Sequence, residues 1–265
     1  MTSDRPIILA TNDDGFDAPG LAALIEAVEP LGRVIVAAPD REQSGSSHSL
    51  TLDRPLRMIE VGEDRYRITG TPTDCVHLAF CMLTENEKPV LVVSGINRGL
   101  NVGDDVTYSG TVAGALEGAL LDVPSLAFSA EMSTSGGADY GSAVTLVRSL
   151  AREVLERGLP AGVLLNVNVP SGPAKGLRIT RQGSRAYRAT ADKRLDPSGR
   201  PYYWIAGMDM TPNGEPDGDH LALQDGYVSI TPLHANLTHE ATRLQLSEWR
   251  LDLPTLTGAN SREEG

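Results

Sequence analysis

Short apolar runs that alternate with amphipathic stretches are the feature that most limits how this chain can fold. Ile7–Ala10 is apolar throughout, as expected for a strand buried on both faces. Asp17 is predicted to cap a helix that has Pro19 in its first turn and apolar residues at helical spacing. Val34–Ala38 is the next apolar run. The spacing predicts a β-α-β unit with parallel strands and a right-handed crossover.

The same alternation returns further along the chain. Strands are predicted at Val90–Val93, Ser125–Phe128 and Val163–Val169, and helices at Thr111–Leu121 and residues 138–157. Repeated strand-then-helix segments favour an open α/β sheet over residues 1–180.

The composition changes after residue 180. Residues 181–200 carry six basic and two acidic side chains, whereas residues 201–242 carry six acidic and no basic ones. We predict strands at Tyr202–Ile205 and Tyr227–Ile230 and a helix from Thr238 to Arg250. Residues 181–250 are therefore expected to form a small β-rich appendage with a C-terminal helix, followed by a polar tail at 251–265. The segregated charge favours a self-complementary contact between subunits.

Charge and composition exclude several classes of partner. The net charge is −12, whereas proteins that bind nucleic acid depend on Lys and Arg contacts with phosphates. An acidic surface is unsuited to anionic membranes, and no apolar run reaches the roughly 20 residues that span a bilayer. We expect neither a nucleic-acid duplex nor a membrane as partner. Two cysteines, Cys75 and Cys81, and the lack of a leader pattern after Met1 predict a cytoplasmic location.

Two adjacent carboxylates follow the first predicted strand. Asp13 and Asp14 stand just before Gly15, which is consistent with a simple turn and helix start. The alternative is a cation site, because two carboxylates together neutralise one divalent ion. Their position favours the cation site, since ligands of open α/β sheets bind beyond the carboxyl ends of the strands.

Polar loops also follow the second strand and the strand that starts at Val90. Residues 39–49 include Ser44 and His48, and this segment is either a flexible surface loop or part of a site. Asn97 lies just past its strand, where its carbonyl oxygen would be available as a ligand. The glycines nearby do not form the G-x-G-x-x-G dinucleotide motif, and the chain has no P-loop.

Tyr108-Ser-Gly-Thr111 opens the Ala-rich helix. Ser109 is consistent with an ordinary helix cap, but a helix start with free N–H groups and hydroxyls also binds phosphate. The candidate ligands near the strand ends, Asp13, Asp14, Ser44 and Asn97, all supply oxygen. Such a set suits Mg²⁺, Mn²⁺ or Ca²⁺ rather than zinc. A hard cation beside a phosphate-binding helix start indicates phosphoryl chemistry.

These residues also carry a resemblance to the SurE (survival protein E) family of nucleotidases. The resemblance extends from about residue 6 to 250. The motifs that carry it are Thr11-Asn-Asp-Asp-Gly15, Val36-Ala-Ala-Pro-Asp40 with Ser44, His48 and Ser49, Gly70-Thr-Pro-Thr-Asp-Cys75, Ser94-Gly-Ile-Asn97 with Gly99 and Asn101, Tyr108-Ser-Gly-Thr111, Asn166-Val-Asn-Val-Pro170 and Gly226-Tyr-Val-Ser-Ile-Thr-Pro232. One departure is Ser47, which stands where a glycine is common in the family.

The resemblance implies a fold, an activity and a set of site residues. The fold is a Rossmann-like domain whose C-terminal portion exchanges between subunits, which gives a homodimer or homotetramer. The activity is metal-dependent hydrolysis of nucleoside 5′- and 3′-monophosphates, with some action on short polyphosphate. The implied metal ligands are Asp13, Asp14, Ser44 and Asn97. The implied phosphate contacts are Asn12, Ser109, Gly110 and Thr111.

We therefore predict a phosphomonoesterase that binds one Mg²⁺ or Mn²⁺ ion per subunit. Asp13 and Asn97 are expected to act directly at the reaction centre, with attack on phosphorus by metal-activated water. His48 is the candidate acid that protonates the leaving alkoxide. A phosphatase of the haloacid dehalogenase type is less suitable, because it needs D-x-D where this chain has adjacent aspartates. A nucleotide sensor without catalytic activity is the non-enzymatic alternative.

Overall fold

A central nine-stranded sheet organises the molecule. The computed structural model describes residues 5–84, 87–133, 138, 140–186, 191–205, 211–212 and 216–249. The strands of the central sheet are β1 (Ile7–Thr11), β2 (Arg33–Pro39), β3 (Met58–Gly62), β4 (Arg65–Ile68), β5 (Leu91–Arg98), β6 (Ser125–Ala130), β7 (Val163–Val169), β8 (Leu177–Ile179) and β13 (Val228–His234). Their spatial order is β3-β4-β2-β1-β5-β6-β7-β13-β8.

The first β-α-β unit has the predicted parallel strands. Helix α1 (Pro19–Val28) joins β1 to β2, and these two strands pair in parallel. The predicted cap at Asp17 is wrong, because Ala18 occupies the cap position and makes no side-chain hydrogen bond. The carboxylate of Asp17 instead accepts two hydrogen bonds from the Arg67 guanidinium, at 2.6 and 2.7 Å. Pro19 begins the helix, where a missing N–H costs nothing.

The remaining helices include both predicted and unpredicted segments. Helix α3 (Gly110–Leu120) and helix α4 (Tyr140–Arg157) match the predictions within two residues. Helix α2 (Pro72–Leu83) was not predicted, and a reciprocal cap between Thr71 and Asp74 starts it. None of the helices in the described ranges is both long and apolar enough to cross a bilayer.

Helices cover both faces of the sheet, as predicted. Alternate residues of β1 divide between the two cores, because successive side chains of a strand point to opposite faces. Ile8 and Ala10 pack in the cluster that includes α1 and α4 residues, whereas Ile7 and Leu9 pack with α2 residues. Helix α3 packs beside α2. The α/β fold class is therefore confirmed.

The order of the strands creates a switch point between β1 and β5. These strands are parallel neighbours, yet the helices that follow them, α1 and α3, belong to different core clusters. The two connections therefore diverge and leave a crevice beyond the carboxyl ends of the strands. Ligands of open α/β sheets bind in such a crevice.

The C-terminal third combines sheet strands with small β-ribbons. The predicted strand at Tyr227–Ile230 is β13, which joins the central sheet by antiparallel pairing with β7 and parallel pairing with β8. Outside that sheet, β10 (Ala191–Leu195) pairs with β11 (Pro201–Ile205), and β9 (Arg185–Ala186) pairs with β12 (Thr211–Pro212). Helix α5 (Asp219–Gln224) precedes β13.

The last helix belongs to a second compact unit that begins at residue 236. Helix α6 (Glu240–Ser247) is shorter at both ends than the predicted Thr238–Arg250 segment. Arg250 and the predicted tail at 251–265 lie outside the described residues. The division of the chain at residue 180 stays a prediction.

Candidate functional site

The loops that follow β1, β2 and β5 meet at the switch point. The amide of Gln43 donates to the carbonyl oxygen of Asp13 at 2.7 Å, which fastens the second loop to the first. The amide of Arg98 donates to Asp14 Oδ2 at 3.2 Å, which fastens the end of β5 to the same loop. Residues from three predicted polar segments are thus brought together.

Asp13 lies buried against the start of α3. The hydroxyl of Thr111 donates a hydrogen bond to Asp13 Oδ1. Burial raises the pKa of Asp13 from 3.8 to about 6, and the negative charge of Asp14 adds to the rise, although the Thr111 bond opposes it. The buried carboxyl group is therefore short of compensating positive charge.

Asp14 is the less buried partner of the pair. Burial raises its pKa, and the negative charge of Glu42 raises it further. The backbone hydrogen bond from Arg98 and the positive charge of that residue act in the opposite direction. Both carboxylates consequently have a desolvation cost that a bound cation would reduce.

Of the other two predicted metal ligands, Ser44 stands on the loop after β2. The prediction that Asn97 lies just past its strand is wrong, because β5 continues to Arg98 and Asn97 lies within it. Ser44 donates its hydroxyl to Glu42 Oε1 at 2.8 Å. The side-chain nitrogen of Asn97 donates to the carbonyl oxygen of Gly99 at 2.9 Å, which leaves the side-chain carbonyl oxygen as the atom for a cation. Within the described ranges there is no cluster of three or more His, Cys, Asp or Glu side chains suited to a metal ion. Hydroxyl and amide oxygens would therefore have to complete the ligand set.

The predicted phosphate contacts lie next to Asp13. Asn12 donates through Nδ2 to the carbonyl oxygen of Gly15 at 2.8 Å, and its buried Oδ1 has no hydrogen-bond partner among the described residues. Ser109 accepts a hydrogen bond from the amide of Val112 at 3.1 Å. Ser109 is thus the N-cap of α3, and Gly110 follows it with backbone close to Asp13. An unpaired buried oxygen beside a carboxylate pair suits a hydrated cation.

His48 lies on the loop after β2 and contacts α3 at Glu117, farther from the start of that helix than the phosphate contacts. Its Nε2 is 2.9 Å from Glu117 Oε2, and His77 Nδ1 is 2.8 Å from Glu117 Oε1. Burial raises the pKa of Glu117, but the hydrogen bonds from His48 and His77 outweigh it, so the net pKa is lowered. Glu117 and His77 were not predicted from the sequence. The one available signal was an acidic residue in an otherwise small and apolar helix.

Ser47, which stands where a glycine is common in the family, also has an unusual backbone conformation. Ser47 has a φ of 55°, in the left-handed region that favours glycine. Its hydroxyl donates to the carbonyl oxygen of Thr107 at 2.7 Å, and its amide donates to the carbonyl oxygen of Tyr108 at 3.1 Å. These two bonds hold the loop after β2 against the segment that leads into α3.

The chain is similar to known proteins over most of its length. The family model described as "Survival protein SurE" matches residues 8–189. The chain is 48% identical over 247 residues to the 5'-nucleotidase SurE of Geotalea daltonii, covering 92% of this chain and 99% of that protein. It is 47% identical to the 5'-nucleotidase SurE of Myxococcus xanthus, covering 95% and 96%.

A solved structure shows the same architecture. The crystal structure of the SurE protein from Aquifex aeolicus aligns with a TM-score of 0.81 and 45% identity, covering 91% of this chain and 98% of that one. The family match spans more than half of the chain and includes the loops that meet at the switch point. On this evidence the chain belongs to the SurE family.

Proposed function

We propose that this chain is a 5′-nucleotidase, a phosphatase that hydrolyses nucleoside monophosphates to nucleoside and phosphate. The relatives described above carry the name 5'-nucleotidase. The observation that carries the proposal is the position of the buried Asp13 against the N-terminus of α3, at the β1–β5 switch point. Activity on 3′-monophosphates and short polyphosphate is part of the proposal through the family resemblance.

The start of α3 is the proposed phosphate site. The first N–H groups of a helix lack partners within the helix, and the helix dipole favours an anion there. Ser109, Gly110 and Thr111 would contact the phosphoryl oxygens, with Asn12 beside them. The small Gly110 allows the backbone to approach, because any side chain would collide with Asp13.

We propose that Asp13, Asp14, Ser44 and Asn97 hold one divalent cation, Mg²⁺ or Mn²⁺. The fit rests on the oxygen-only donor set, the raised pKa values of both carboxylates and the unpaired Oδ1 of Asn12. When bound, such a cation neutralises charge on the phosphoryl group and makes a water molecule more acidic.

His48 is the proposed general acid for the leaving alkoxide. Its Nε2 is held by Glu117, so proton transfer would use Nδ1. Asp13 and Asn97 are proposed to orient the reacting group, because Asp13 follows β1 and Asn97 lies near the end of β5, the two strands that border the crevice. Correct placement of such groups accounts for a large part of the rate increase in phosphoryl transfer.

The test is release of inorganic phosphate from a panel of nucleoside 5′- and 3′-monophosphates and short polyphosphate. The panel is run with Mg²⁺, with Mn²⁺ and with EDTA. Asp13→Asn should lose at least about 100-fold in kcat/KM, whereas the matched control Asp17→Asn should keep activity, since Asp17 is exposed and its carboxylate pairs with Arg67. Tight nucleotide binding without phosphate release would contradict the proposal and favour a sensor.

The assembly and compartment predicted above are also proposals. Exposed apolar side chains on β11, namely Tyr203, Trp204 and Ile205, support the proposal that residues 181–250 mediate a homodimer or homotetramer by C-terminal exchange. Two unpaired cysteines, Cys75 and Cys81, support a reducing, cytoplasmic compartment. Size measurement by light scattering, before and after deletion of residues 236–265, tests the exchange.

A further inference from the structure

The loop between β5 and α3, residues 99–108, connects two parts of the proposed site. Asn97 precedes it and Ser109 follows it. The loop contains a short 3₁₀ turn, Gly103–Thr107. The amide of Ser109 donates to the carbonyl oxygen of Asp105 at 3.1 Å. The position of this turn therefore determines where the phosphate-binding start of α3 lies.

Asn168 fixes the backbone of this loop at Asn101. The amide of Asn101 donates to Asn168 Oδ1 at 2.8 Å, and Asn168 Nδ2 donates back to the carbonyl oxygen of Asn101 at 3.0 Å. Asn166 Nδ2 adds a further bond to the same carbonyl oxygen at 2.7 Å. Asn168 lies on β7 and is fully buried. Burying an amide side chain without hydrogen-bond partners costs free energy. The bonds to the loop offset this cost for Asn168.

Asp219 fixes the same loop at Gly103. Its Oδ2 accepts the amide of Gly103 at 2.8 Å, and its Oδ1 accepts the amides of Gly183 at 3.1 Å and His220 at 2.8 Å. Gln182 Nε2 donates to the carbonyl oxygen of Gly103 at 2.9 Å. Asp219 is fully buried. Both polar backbone groups of Gly103 are thus held by residues after position 180.

We propose that Asn168 and Asp219 are positioning residues for phosphate binding. They act through the backbone of the 99–108 loop, because they hydrogen-bond to the N–H and carbonyl oxygen of Asn101 and to the N–H of Gly103. The inference rests on the proposed function, and it adds that part of the chain after residue 180 is needed to place the α3 start. Loss of either anchor leaves the loop free to shift, and Ser109 shifts with it.

The expected effect is on substrate affinity more than on turnover. Asn168→Ala and Asp219→Ala should each raise KM for a nucleoside 5′-monophosphate about tenfold, with a smaller change in kcat, because binding of substrate and transition state is weakened alike. The inhibition constant of inorganic phosphate should rise in parallel. Asp219→Asn keeps one acceptor oxygen and should lie between the wild type and Asp219→Ala.

Thr231→Val is the matched control. Thr231 is a buried polar residue on β13, the strand beside β7, and its hydroxyl bonds to Thr180 at 2.8 Å. The variant loses a buried hydrogen bond without touching the loop. It should lower the Tm by less than Asn168→Ala, because it removes one buried hydrogen bond and leaves both loop contacts of Asn168 in place, and it should leave KM and the phosphate inhibition constant unchanged. If Thr231→Val raises KM as much as Asn168→Ala does, the KM increase follows from lost stability and the positioning role is refuted.

Hydrogen exchange separates this inference from the proposed function. Peptides covering residues 99–111 should exchange faster in Asn168→Ala and Asp219→Asn than in the wild type and in Thr231→Val. This readout and direct titration with inorganic phosphate need no turnover. Absence of phosphate release from wild-type protein would refute the proposed function alone. Unchanged exchange and unchanged phosphate affinity in the folded variants would refute the positioning role. If Asn168→Ala fails to fold, the conservative Asp219→Asn decides.

Discussion

Replacing Gly110 by Ala tests whether the contact between Asp13 and the start of α3 controls activity. A Cβ at residue 110 would lie 2.7 Å from Asp13 Cβ, 2.9 Å from Ser46 Oγ and 3.0 Å from Asp13 Oδ2. Ordinary contacts at such atoms are 3.4–4 Å. Asp13 and the helix must therefore separate by about 0.7 Å, since a packed interior has no spare volume to absorb the methyl group.

The displacement converts into a large loss of rate and a moderate loss of stability. A misplacement of about 1 Å in a catalytic arrangement costs on the order of 100-fold, so kcat/KM should fall by about 30- to 100-fold. Overpacking costs about 1–3 kcal/mol in the free energy of unfolding. In a chain of this size each kcal/mol lowers the Tm by about 2–4 °C.

Gly118→Ala on the same helix is the control. Its Cβ would lie 2.4 Å from Ser125 Oγ and 2.7 Å from Val92 Cγ2, in the contact between α3 and the sheet and away from Asp13. Phosphate release and thermal unfolding are measured for both variants. Gly118→Ala should lose at least as much stability as Gly110→Ala and keep clearly more activity, because its clash acts on the part of α3 that packs on the sheet and not on the end against Asp13. Equal activity losses at equal Tm, or full activity in Gly110→Ala, would refute the reasoning.

Two further predictions concern the Glu117 cluster. Hydrogen bonds from His48 and His77 lower the pKa of Glu117 despite its burial. The ionised carboxylate therefore stabilises the fold at pH values above the ordinary pKa of Glu. This stabilisation is lost as the pH falls through the lowered pKa of Glu117 in the folded protein. In Glu117→Gln, the free energy of unfolding measured in urea should therefore decrease less between pH 7 and pH 3 than in the wild type. An unchanged pH dependence contradicts the stabilising role of ionised Glu117. His48→Gln should lower kcat about 100-fold for a nucleoside monophosphate but far less for p-nitrophenyl phosphate, whose leaving group needs no proton. Equal losses on both substrates would exclude His48 as the acid.

The elements that the sequence predicted are those with strong local signals. β1, β2, β6 and β7 are buried on both faces and are therefore nearly continuous apolar runs. β3 and β4 were missed, because neither has a continuous apolar run: β3 is the largely exposed edge strand, and β4 beside it is mostly half-buried. Helix α2 had an available signal in the Thr71–Asp74 capping box, which was used only for the family resemblance.

Site residues, like the secondary-structure elements, were predictable only where the local sequence carries a signal. Asp13 and Asp14 were predictable because they follow β1, and Asn97 because it lies near the carboxyl end of β5; these strand ends border the crevice. Glu117 and Asp219 were not, since their partners lie far away along the chain: His48 is 69 positions from Glu117, and Gly103 is 116 positions from Asp219. An acidic residue in a helix is usually solvated, and only the tertiary fold shows that these two are buried and bonded.

The charge distribution at the site leads to a final prediction, about phosphate binding without a cation. Burial holds the pKa of Asp13 at about 6 and raises that of Asp14, which shows that their negative charge is poorly compensated. A phosphate at the start of α3 would add further negative charge beside them. At an effective dielectric constant of about 20, two unit charges about 5 Å apart repel by about 3 kcal/mol.

The phosphate affinities of the wild type and Asp13→Asn should therefore rank in opposite orders with and without divalent cations. Without divalent cations, Asp13→Asn should bind inorganic phosphate at least about tenfold more tightly than the wild type, since it removes one repelling charge from the site. With Mg²⁺ present the wild type should bind more tightly, because Asp13→Asn has lost a charged ligand for the cation. Calorimetric titration with phosphate, in EDTA and in Mg²⁺, measures both, and Asp17→Asn serves as the control that changes neither. Weaker phosphate binding by Asp13→Asn under both conditions would mean that Asp13 contacts the phosphate as a positioned group rather than repelling it, and the cation site would then have to be sought elsewhere.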